Sequence, residues 1–477
     1  MPTNIRDEIV AKRQERVARL GFAEGADLPA RRETPLVPFL GRNGLICEVK
    51  RKSPSKGDIA PGLDAVAQAG LYVAAGAGNL SVLTEPEGFG GSVRDLLEVK
   101  KNFPKTAALR KDFLFDVHDI DVAWRAGADA VLLIAGMLSA ERLNQLYRCA
   151  KGLGMEALVE VHDAEDVEKA AYVKPDLVGI NSRDLTTFAI DPLLPLRVRA
   201  GLTWDCRVVY ESGIHAPDQA AFAVASGFDG ILVGESVVRN PELAGKLLTA
   251  MAEAKPARFW RTIGEKLYAV SSGTGERWRP LVKVCGLTRA GDARLAADLG
   301  ADALGFVFYE HSPRRASAGL LKELEQVNAL KVGVVVSGAG RLIPPEVNEL
   351  LAAGLLDAVQ LHGEETPDET AAAGVSAYKA LKPRGVPALA EGDAFRCPRL
   401  LLDATAPVPG GSGQRVDDEI LAAWKKPLWL AGGIAPDNVA SLVAEWKPEL
   451  VDLASGVEEK PGVKSPDLLK KLFTELG

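Results

Sequence analysis

EALVEVHDAEDVEKAAYVKPDLVGINSR, residues 156–183, places two short runs rich in apolar and β-branched residues, EALVEVH (156–162) and LVGINSR (177–183), on either side of the amphipathic stretch AEDVEKAAYV (164–173). Strand-sized runs separated by a helix-sized segment are the mark of a β-α-β unit, in which the helix crosses over and the two strands run parallel. Outward from this unit the pattern continues. LICEVKR (45–51), NLSVLT (79–84), AALRKDF (107–113) and AVLLIAG (130–136) precede it, and RVVYESG (207–213) and GILVGES (230–236) follow. Helical stretches such as SVRDLLEVKKNF lie between.

The chain then repeats the same count: LVKVCGL (281–287), ALGFVFY (303–309), KVGVVVSG (331–338), AVQLHG (358–363), SAYKALK (376–382), RLLLDA (399–404), LWLAGG (428–433) and LVDLASG (450–456). Nearly continuous apolar strands alternating with helices imply a parallel sheet covered by helices. A doubly wound open sheet is the alternative, but eight βα units within about 200–250 residues, twice over, favour two closed barrels. The expected fold is therefore α/β, two fused (β/α)8 TIM barrels. The helical run NPELAGKLLTAMAEA (240–254) closes the first round, and the turn cluster SSGTG comes shortly before the second. The expected domains are a barrel with an N-terminal helical extension over 1–255, a linker over 256–279 and a second barrel over 280–477.

Composition agrees with a globular protein. The chain has 477 residues, 47% hydrophobic and 25% charged, enough for more than one core. Its net charge of −7 argues against nucleic acid as a partner, since phosphate backbones need a basic face. No run approaches the roughly 20 apolar residues that span a bilayer, so no membrane partner is expected. The N-terminus reads as an amphipathic helix capped by Asn4, with Asp7 and Glu8 in its first turn, and not as a secretion signal. Cys47, Cys149, Cys206, Cys285 and Cys397 are scattered and odd in number, and the histidines never pair at H-x3-H spacing. Neither a disulfide framework nor a metal site is supported, and a reduced, cytoplasmic location is expected.

Chemistry on a (β/α)8 barrel sits at the C-terminal ends of the strands, so the polar residues ending these apolar runs are the candidates. In the first round they are Glu48, Lys50, Lys111, Glu160, Asn181, Arg183, Glu211 and Ser212. A structural ring of ion pairs is the plain explanation, but charges recurring at most of eight buried ends need partners or a charged ligand, which favours a site. After the seventh and eighth strands, Ser212-Gly213 and Gly234-Glu235-Ser236 let backbone N–H groups approach a phosphate. The second round repeats this cradle with Gly432-Gly433 and Ser455-Gly456, and it adds Cys285, Arg314, Asp403 and Asp452. By its strand alone, Cys285 is equally well a small buried hydrophobe or a thiolate base facing an acid.

These residues carry two resemblances. EVKRKSPSKGDI (48–59), SVLTE (81–85), LRKDF (109–113), LVEVHD (158–163), GINSRDL (179–185), ESGI (211–214) and VGES (233–236) resemble, in order, the strand-end motifs of indole-3-glycerol-phosphate synthase over residues 1–250. That resemblance implies ring closure of 1-(2-carboxyphenylamino)-1-deoxyribulose 5-phosphate with loss of carbon dioxide and water. It makes Lys111 the general acid, Glu160 the base of the later dehydration, Lys50 the partner of the anthranilate carboxylate and Glu48 a proton relay. Ser53, Phe113, Asn181 and Arg183 would position substrate beside Glu211. Ser212, Gly213, Gly234 and the backbone of Glu235 would hold phosphate. The residues alone do not choose between Lys50 and Lys111 as proton donor.

KVCGLT (283–288), GFVFYEHSPR (305–314), VQLHG (359–363), LLLD (400–403), GGSG (410–413), LAGGI (430–434) and VDLASGVE (451–458) resemble phosphoribosylanthranilate isomerase over residues 280–477. That implies an Amadori rearrangement in which Asp403 protonates the furanose oxygen and Cys285 removes the C2′ proton. Arg314, Gln360 and Asp452 would contact substrate, and Gly432, Gly433, Ser455 and Gly456 would hold phosphate. A thiol with an ordinary pKa of about 8.5 is a weak base at neutral pH, so its surroundings must lower that value or supply proximity. No cofactor is needed for either reaction, the partners are phosphorylated anthranilate substrates, and the fused chain is expected to be a monomer. Two departures stand out. QRVDDEI follows GGSG where the isomerases usually carry an aromatic pair, and Cys47 and Lys52 replace small residues of the synthases; Cys47 points away from Glu48 and reads as packing. The alternatives are one inactive barrel serving as a structural partner, isomerisation of the related histidine-pathway sugar, which Cys285 disfavours, and a non-enzymatic scaffold, for which charges at the mouths have no use.

Overall fold

A computed structural model describes residues 5–54, 57–183, 189–271, 278–337, 341–404 and 414–477. Asn4, Ser55, Lys56, Asp184, Leu185, the GGSG motif and all but the first residue of the SSGTG cluster lie outside the described residues. The chain divides into two units, Met1–Pro256 and Ala257–Gly477.

The stretch that opens the sequence reading folds as expected. Helix Ala164–Val173 starts where the Asp163 carboxylate accepts the Asp166 N–H, and it stops at Lys174, which takes a left-handed conformation just before Pro175. Its flanking strands are two of eight that close into a parallel barrel: β1 (Leu45–Val49), β2 (Asn79–Leu83), β3 (Ala107–Lys111), β4 (Ala130–Ile134), β5 (Glu156–Val161), β6 (Leu177–Asn181), β7 (Arg207–Glu211) and β8 (Gly230–Val233). Closure is by register, with Leu45 beside Ile231 and Ile46 beside Asn79. Alternate residues face inward, so Ile46, Leu109, Leu132, Leu158, Val209 and Leu232 fill the barrel, while Cys47 is buried on the opposite face. The lower end is plugged by the segment before β1. Phe39 joins the interior cluster, Leu40 N–H donates to Asn79 Oδ1 at 2.8 Å, and Arg207 donates to the Phe39 carbonyl at 3.0 Å. The N-terminal helix, Ile5–Leu20, is anchored by a fully buried Arg13 that bonds Asp112 (3.1 Å) and Asp119 (2.8 Å), so it reaches the residue after the end of β3.

The second unit is again a closed parallel barrel: β9 (Leu281–Cys285), β10 (Ala303–Val307), β11 (Leu330–Val335), β12 (Ala358–Leu361), β13 (Ala377–Leu381), β14 (Leu400–Leu402), β15 (Trp429–Ala431) and β16 (Leu450–Leu453). The stretch read as a linker, residues 256–279, differs from that expectation. It contains helix Arg258–Ser271, which belongs to the second unit. Phe259 stacks on Tyr378 with centroids 6.1 Å apart, and Trp260 lies 5.8 Å from Trp429. Phe259, Trp260, Ile263 and Leu267 are buried, the spacing of one helical face. Each barrel also carries a short antiparallel hairpin absent from the sequence reading, Lys52–Ser53 with Gly57–Asp58 after β1 and Glu458–Lys460 with Val463–Lys464 after β16. Among the described residues no helix is long and apolar enough to cross a membrane.

Candidate active sites

At the mouth of the first barrel Lys111, the last residue of β3, donates to Glu160 Oε2 at 3.0 Å and to Glu211 Oε2 at 3.2 Å. The three groups come from β3, β5 and β7, so the barrel, not local sequence, brings them together. Room for this cluster is made by Gly179 on β6, where an added Cβ would come within 2.0 Å of Glu211 Oε1. Asn181 Nδ2 reaches Glu160 Oε1 at 3.4 Å, and its Oδ1 accepts the Arg183 N–H at 3.0 Å. A second pair, Lys50 and Glu48, lies 2.7 Å apart beside Gly234. Ser53, Phe113 and Arg183 follow β1, β3 and β6; Phe113 packs 6.1 Å from Phe89. Ser212 has φ 70° and Gly213 φ 75°, which turns the chain sharply after β7, and Gly234 precedes the short helix Glu235–Arg239.

Burial disfavours the Lys111 ammonium, yet the carboxylates of Glu160, Glu211 and Glu48 outweigh it and hold its pKa well above the usual lysine value. Burial would likewise raise Glu160, but Lys111 and then His162 keep it well below the usual range. Glu211 shares the same lysine and goes the other way. Burial, opposed by Lys111 and reinforced by the Glu160 charge, raises it to about 7. The mouth thus holds one firm ammonium, one firm carboxylate and one carboxyl near its titration point.

Sequence reasoning missed the groups behind this trio. His162 Nε2 stands 3.0 Å from Glu160 Oε1, and its backbone N–H donates to the buried Asp166 at 3.0 Å. The signal was present, because His162 follows Glu160 by two positions and so faces the same way along the strand. Asp112, one residue after Lys111, accepts from Arg13, Arg110 and Thr84.

The second barrel opens on a cavity of about 980 Å³ lined by Cys285, Arg314, Gln360, His362, Asp403, Gly432, Gly433, Asp452 and Ser455, among others. All the residues singled out for this barrel line it except Gly456, which packs against the Ile434 carbonyl. Gly305 on β10 plays the part that Gly179 plays in the first barrel, since a Cβ there would sit 2.6 Å from Cys285 Sγ. Gly432 (φ 90°) and Gly433 (φ 60°) take left-handed conformations in the loop after β15.

Lys283 was not among the sequence candidates. It is fully buried inside the barrel, two positions before Cys285, and donates to Asp452 Oδ2 (2.6 Å) and Gln360 Oε1 (2.7 Å). Tyr378 also donates to Gln360 Oε1, at 3.1 Å. With its oxygen so occupied, the Gln360 amide turns Nε2 to His362 Nδ1 at 3.0 Å, which leaves the imidazole proton on Nε2, 3.4 Å from Asp403 Oδ2. Burial, with Lys382, Lys379 and Lys283 nearby, pushes His362 down to about 3, so the ring is neutral. Burial and then the Asp452 charge raise Asp403 to about 6, despite the Ala404 N–H that it accepts. Cys285 is raised as well; burial outweighs the opposing charges of Lys283 and Lys464. The surroundings of Cys285 thus do not lower its pKa. Among the described residues no cluster of His, Cys, Asp and Glu has the makings of a metal centre.

Comparison with known proteins follows the same division. The family description "Indole-3-glycerol phosphate synthase" matches residues 7–249, and "N-(5'phosphoribosyl)anthranilate (PRA) isomerase" matches residues 282–475. A multifunctional tryptophan biosynthesis protein of Schizosaccharomyces pombe is 32% identical across 87% of this chain, and the chain spans 57% of that protein's length. A tryptophan biosynthesis protein of Phytophthora nicotianae is 32% identical, covering 84% of this chain and 85% of its own. The indole-3-glycerol phosphate synthase of Listeria monocytogenes is 40% identical over 51% of this chain and 97% of its own. The chain belongs to the indole-3-glycerol phosphate synthase family through its first barrel and to the N-(5'-phosphoribosyl)anthranilate isomerase family through its second.

Proposed function

We propose that this chain catalyses two consecutive steps of tryptophan biosynthesis. The second barrel converts N-(5-phosphoribosyl)anthranilate into 1-(2-carboxyphenylamino)-1-deoxyribulose 5-phosphate, and the first converts that product into indole-3-glycerol phosphate with release of carbon dioxide and water. The observation that carries the reading is that each mouth holds a complete acid–base set: Lys111 between Glu160 and Glu211 in one, Cys285 and Asp403 on a single cavity in the other.

In the first barrel Lys111, held protonated by its carboxylates, is the acid that polarises and protonates the ketone attacked by the aromatic ring. Glu160, held ionised, is the base of the dehydration. Lys50 meets the anthranilate carboxylate, with Glu48 beside it relaying protons. Ser53, Phe113, Asn181 and Arg183 position the substrate, and Ser212, Gly213, Gly234 and the Glu235 backbone hold its phosphate. Lys111 is ion-paired to Glu160 and Glu211 at the centre of the mouth, which places its ammonium among the acid–base groups.

In the second barrel Asp403, protonated over a wider range than an ordinary carboxyl, gives its proton to the ring oxygen and opens the sugar to an iminium. The Cys285 thiolate then takes the C2′ proton, leaving an enolamine that tautomerises to the ketone. Gln360 and Asp452 fix the sugar, Arg314 binds the ring carboxylate, and Gly432, Gly433, Ser455 and Gly456 hold phosphate. The division into domains follows the chemistry, with the helix of residues 258–271 counted as part of the isomerase. The protein acts as a monomer in the cytoplasm.

The test is to give the purified protein N-(5-phosphoribosyl)anthranilate and identify the product by mass spectrometry. Indole-3-glycerol phosphate is expected. Accumulation of the carboxyphenylamino-deoxyribulose phosphate would mean an inactive first barrel, and substrate unchanged beyond its spontaneous hydrolysis would overturn the isomerase reading.

A further inference from the structure

Arg314 stands in the turn after β10, and its stem crosses Gly286, the residue next to Cys285; a Cβ on Gly286 would lie 2.7 Å from Arg314 Cδ. One edge of its guanidinium is fully engaged. Nε lies 3.0 and 3.1 Å from the two oxygens of Glu458, and Nη2 lies 2.8 Å from Oε2. Glu458 opens the hairpin after β16 and is itself fixed. Its Oε1 accepts from Lys464 Nζ at 2.9 Å and from the Gly462 N–H at 3.2 Å. Lys464 is pinned in turn by the Ala454 carbonyl (2.9 Å) and, through its backbone N–H, by Asp292 (3.0 Å), while the Gly462 carbonyl accepts from Thr288 Oγ1 at 2.5 Å. Arg314 lines the cavity, and Glu458 is not among the residues that do. The carboxylate therefore grips the guanidinium from behind.

A guanidinium presents five N–H groups in a rigid planar fork. With Nε and one side of Nη2 taken, the other edge, formed by Nη1 and the second Nη2 hydrogen, is left to the cavity. That edge matches a second carboxylate in bidentate geometry. Glu458 is one carboxylate serving two buried cations, Arg314 and Lys464, so an arriving anion meets a site with charge to spare within this cluster.

We propose that Glu458 is a positioning residue that aims the open edge of Arg314 at the ring carboxylate of the substrate, and that this pair is how the second barrel selects a carboxylated aryl amine over an uncharged one. The inference rests on the isomerase reading above. A surface arginine would reach a carboxylate in many rotamers and lose entropy on each binding event, whereas a guanidinium held from behind has been ordered during folding.

The test compares two substrates, the phosphoribosylamine of anthranilate and the same compound built on aniline, on wild-type protein and on Glu458→Gln. For the anthranilate compound KM is expected to rise about tenfold or more with kcat nearly unchanged, the loss expected for one charge-assisted hydrogen bond. For the aniline compound the same variant is expected to leave both constants unchanged within about twofold, because no carboxylate is present to be aimed at. Equal losses on both substrates would mean a merely structural pair, no loss on either would mean that Arg314 needs no support, and a lower KM would mean that Glu458 competes with the ligand; each overturns the proposal. Should Glu458→Gln fail to fold, Glu458→Asp, which keeps the charge and shortens the reach, is expected to show a smaller loss confined to the anthranilate compound, and a loss on both substrates would again overturn it. Wild-type protein inactive on both compounds would instead remove the isomerase reading itself.

Discussion

The two barrel mouths solve the burial of titratable groups in opposite ways. The first keeps Lys111 and Glu160 charged by pairing them: Lys111 has carboxylates at 3.0 and 3.2 Å, and Glu160 stays ionised against its burial, while Glu211 alone rises toward its titration point. The second lets burial win. Asp403 rises to about 6, Cys285 rises, and His362 falls to about 3, each toward its neutral form. A reaction that begins by protonating a ketone is served by a stored ammonium, whereas one that opens a sugar ring and then removes a carbon-bound proton is served by a neutral acid beside a latent base.

Removing the central group of each mouth gives the largest expected effects and tests whether the sites are independent. Lys111→Ala is expected to lower ring closure by about a thousandfold or more while isomerisation is unchanged, and Cys285→Ala is expected to do the reverse. Separate assays on the two intermediates check this. If either change abolished both activities in a folded protein, two independent sites would be the wrong description.

Next in size is a stability effect confined to the first barrel. Arg13 is fully buried between Asp112 and Asp119; truncating it leaves Asp119 without its cation, while Asp112 keeps Arg110. Arg13→Ala is expected to cost about 3–5 kcal/mol in chemical denaturation, because an uncompensated buried charge is far more expensive than a lost surface pair. Asp112 directly follows Lys111, so ring closure should fall with stability while the isomerase is spared. An unchanged unfolding midpoint for the first barrel would show that the helix contributes no anchoring.

The strands were legible in the sequence because they are short, largely apolar runs separated by helix-length stretches, several of them ending in polar residues, a pattern that needs no knowledge of partners. The trio Lys111, Glu160 and Glu211 was legible for the same reason. Lys283 was not: it lies inside an apolar strand, and the Asp452 that justifies its charge is 169 positions away. His362 sits in the quoted VQLHG motif, but its neutrality depends on burial and three lysines that only the closed barrel supplies. The helix of residues 258–271 was missed although its signal is local. Phe259, Ile263 and Leu267 recur at helical spacing, and the turn cluster that follows drew the whole stretch into a linker.

The pH profiles of the two reactions are expected to differ in slope by about tenfold per pH unit. On the roles proposed above, isomerisation needs Asp403 protonated and Cys285 ionised, yet Asp403 loses its proton near 6, well before the raised thiol gives up its own. The active form is the less populated combination. Below about 6 the acid is already protonated, so kcat/KM rises as thiolate accumulates. Above 6 each further gain in thiolate is cancelled by the loss of protonated Asp403, and the profile stays flat until the thiol itself ionises, then falls. A rising limb that continued to the thiol pKa would mean that Asp403 is not the acid. Ring closure should lack this break, since Lys111 stays protonated and Glu160 ionised, and any change near 7 would belong to Glu211.

The smallest expected effect sets two cysteines side by side, each in the first strand of its barrel. Cys47 faces the surrounding helices, and burial alone pushes its thiol up to about 12. Cys285 faces the interior, lines the cavity and has Lys283 and Lys464 opposing its burial. Cys47→Ala is expected to cost about 1–2 kcal/mol of first-barrel stability through lost packing, with both activities intact. Iodoacetamide on the native protein should label Cys285 before Cys47, with isomerisation lost in step with the label and ring closure retained, as peptide mass mapping would report. Faster labelling of Cys47 would mean that access to the barrel wall, and not the electrostatics of the mouth, governs thiol reactivity here.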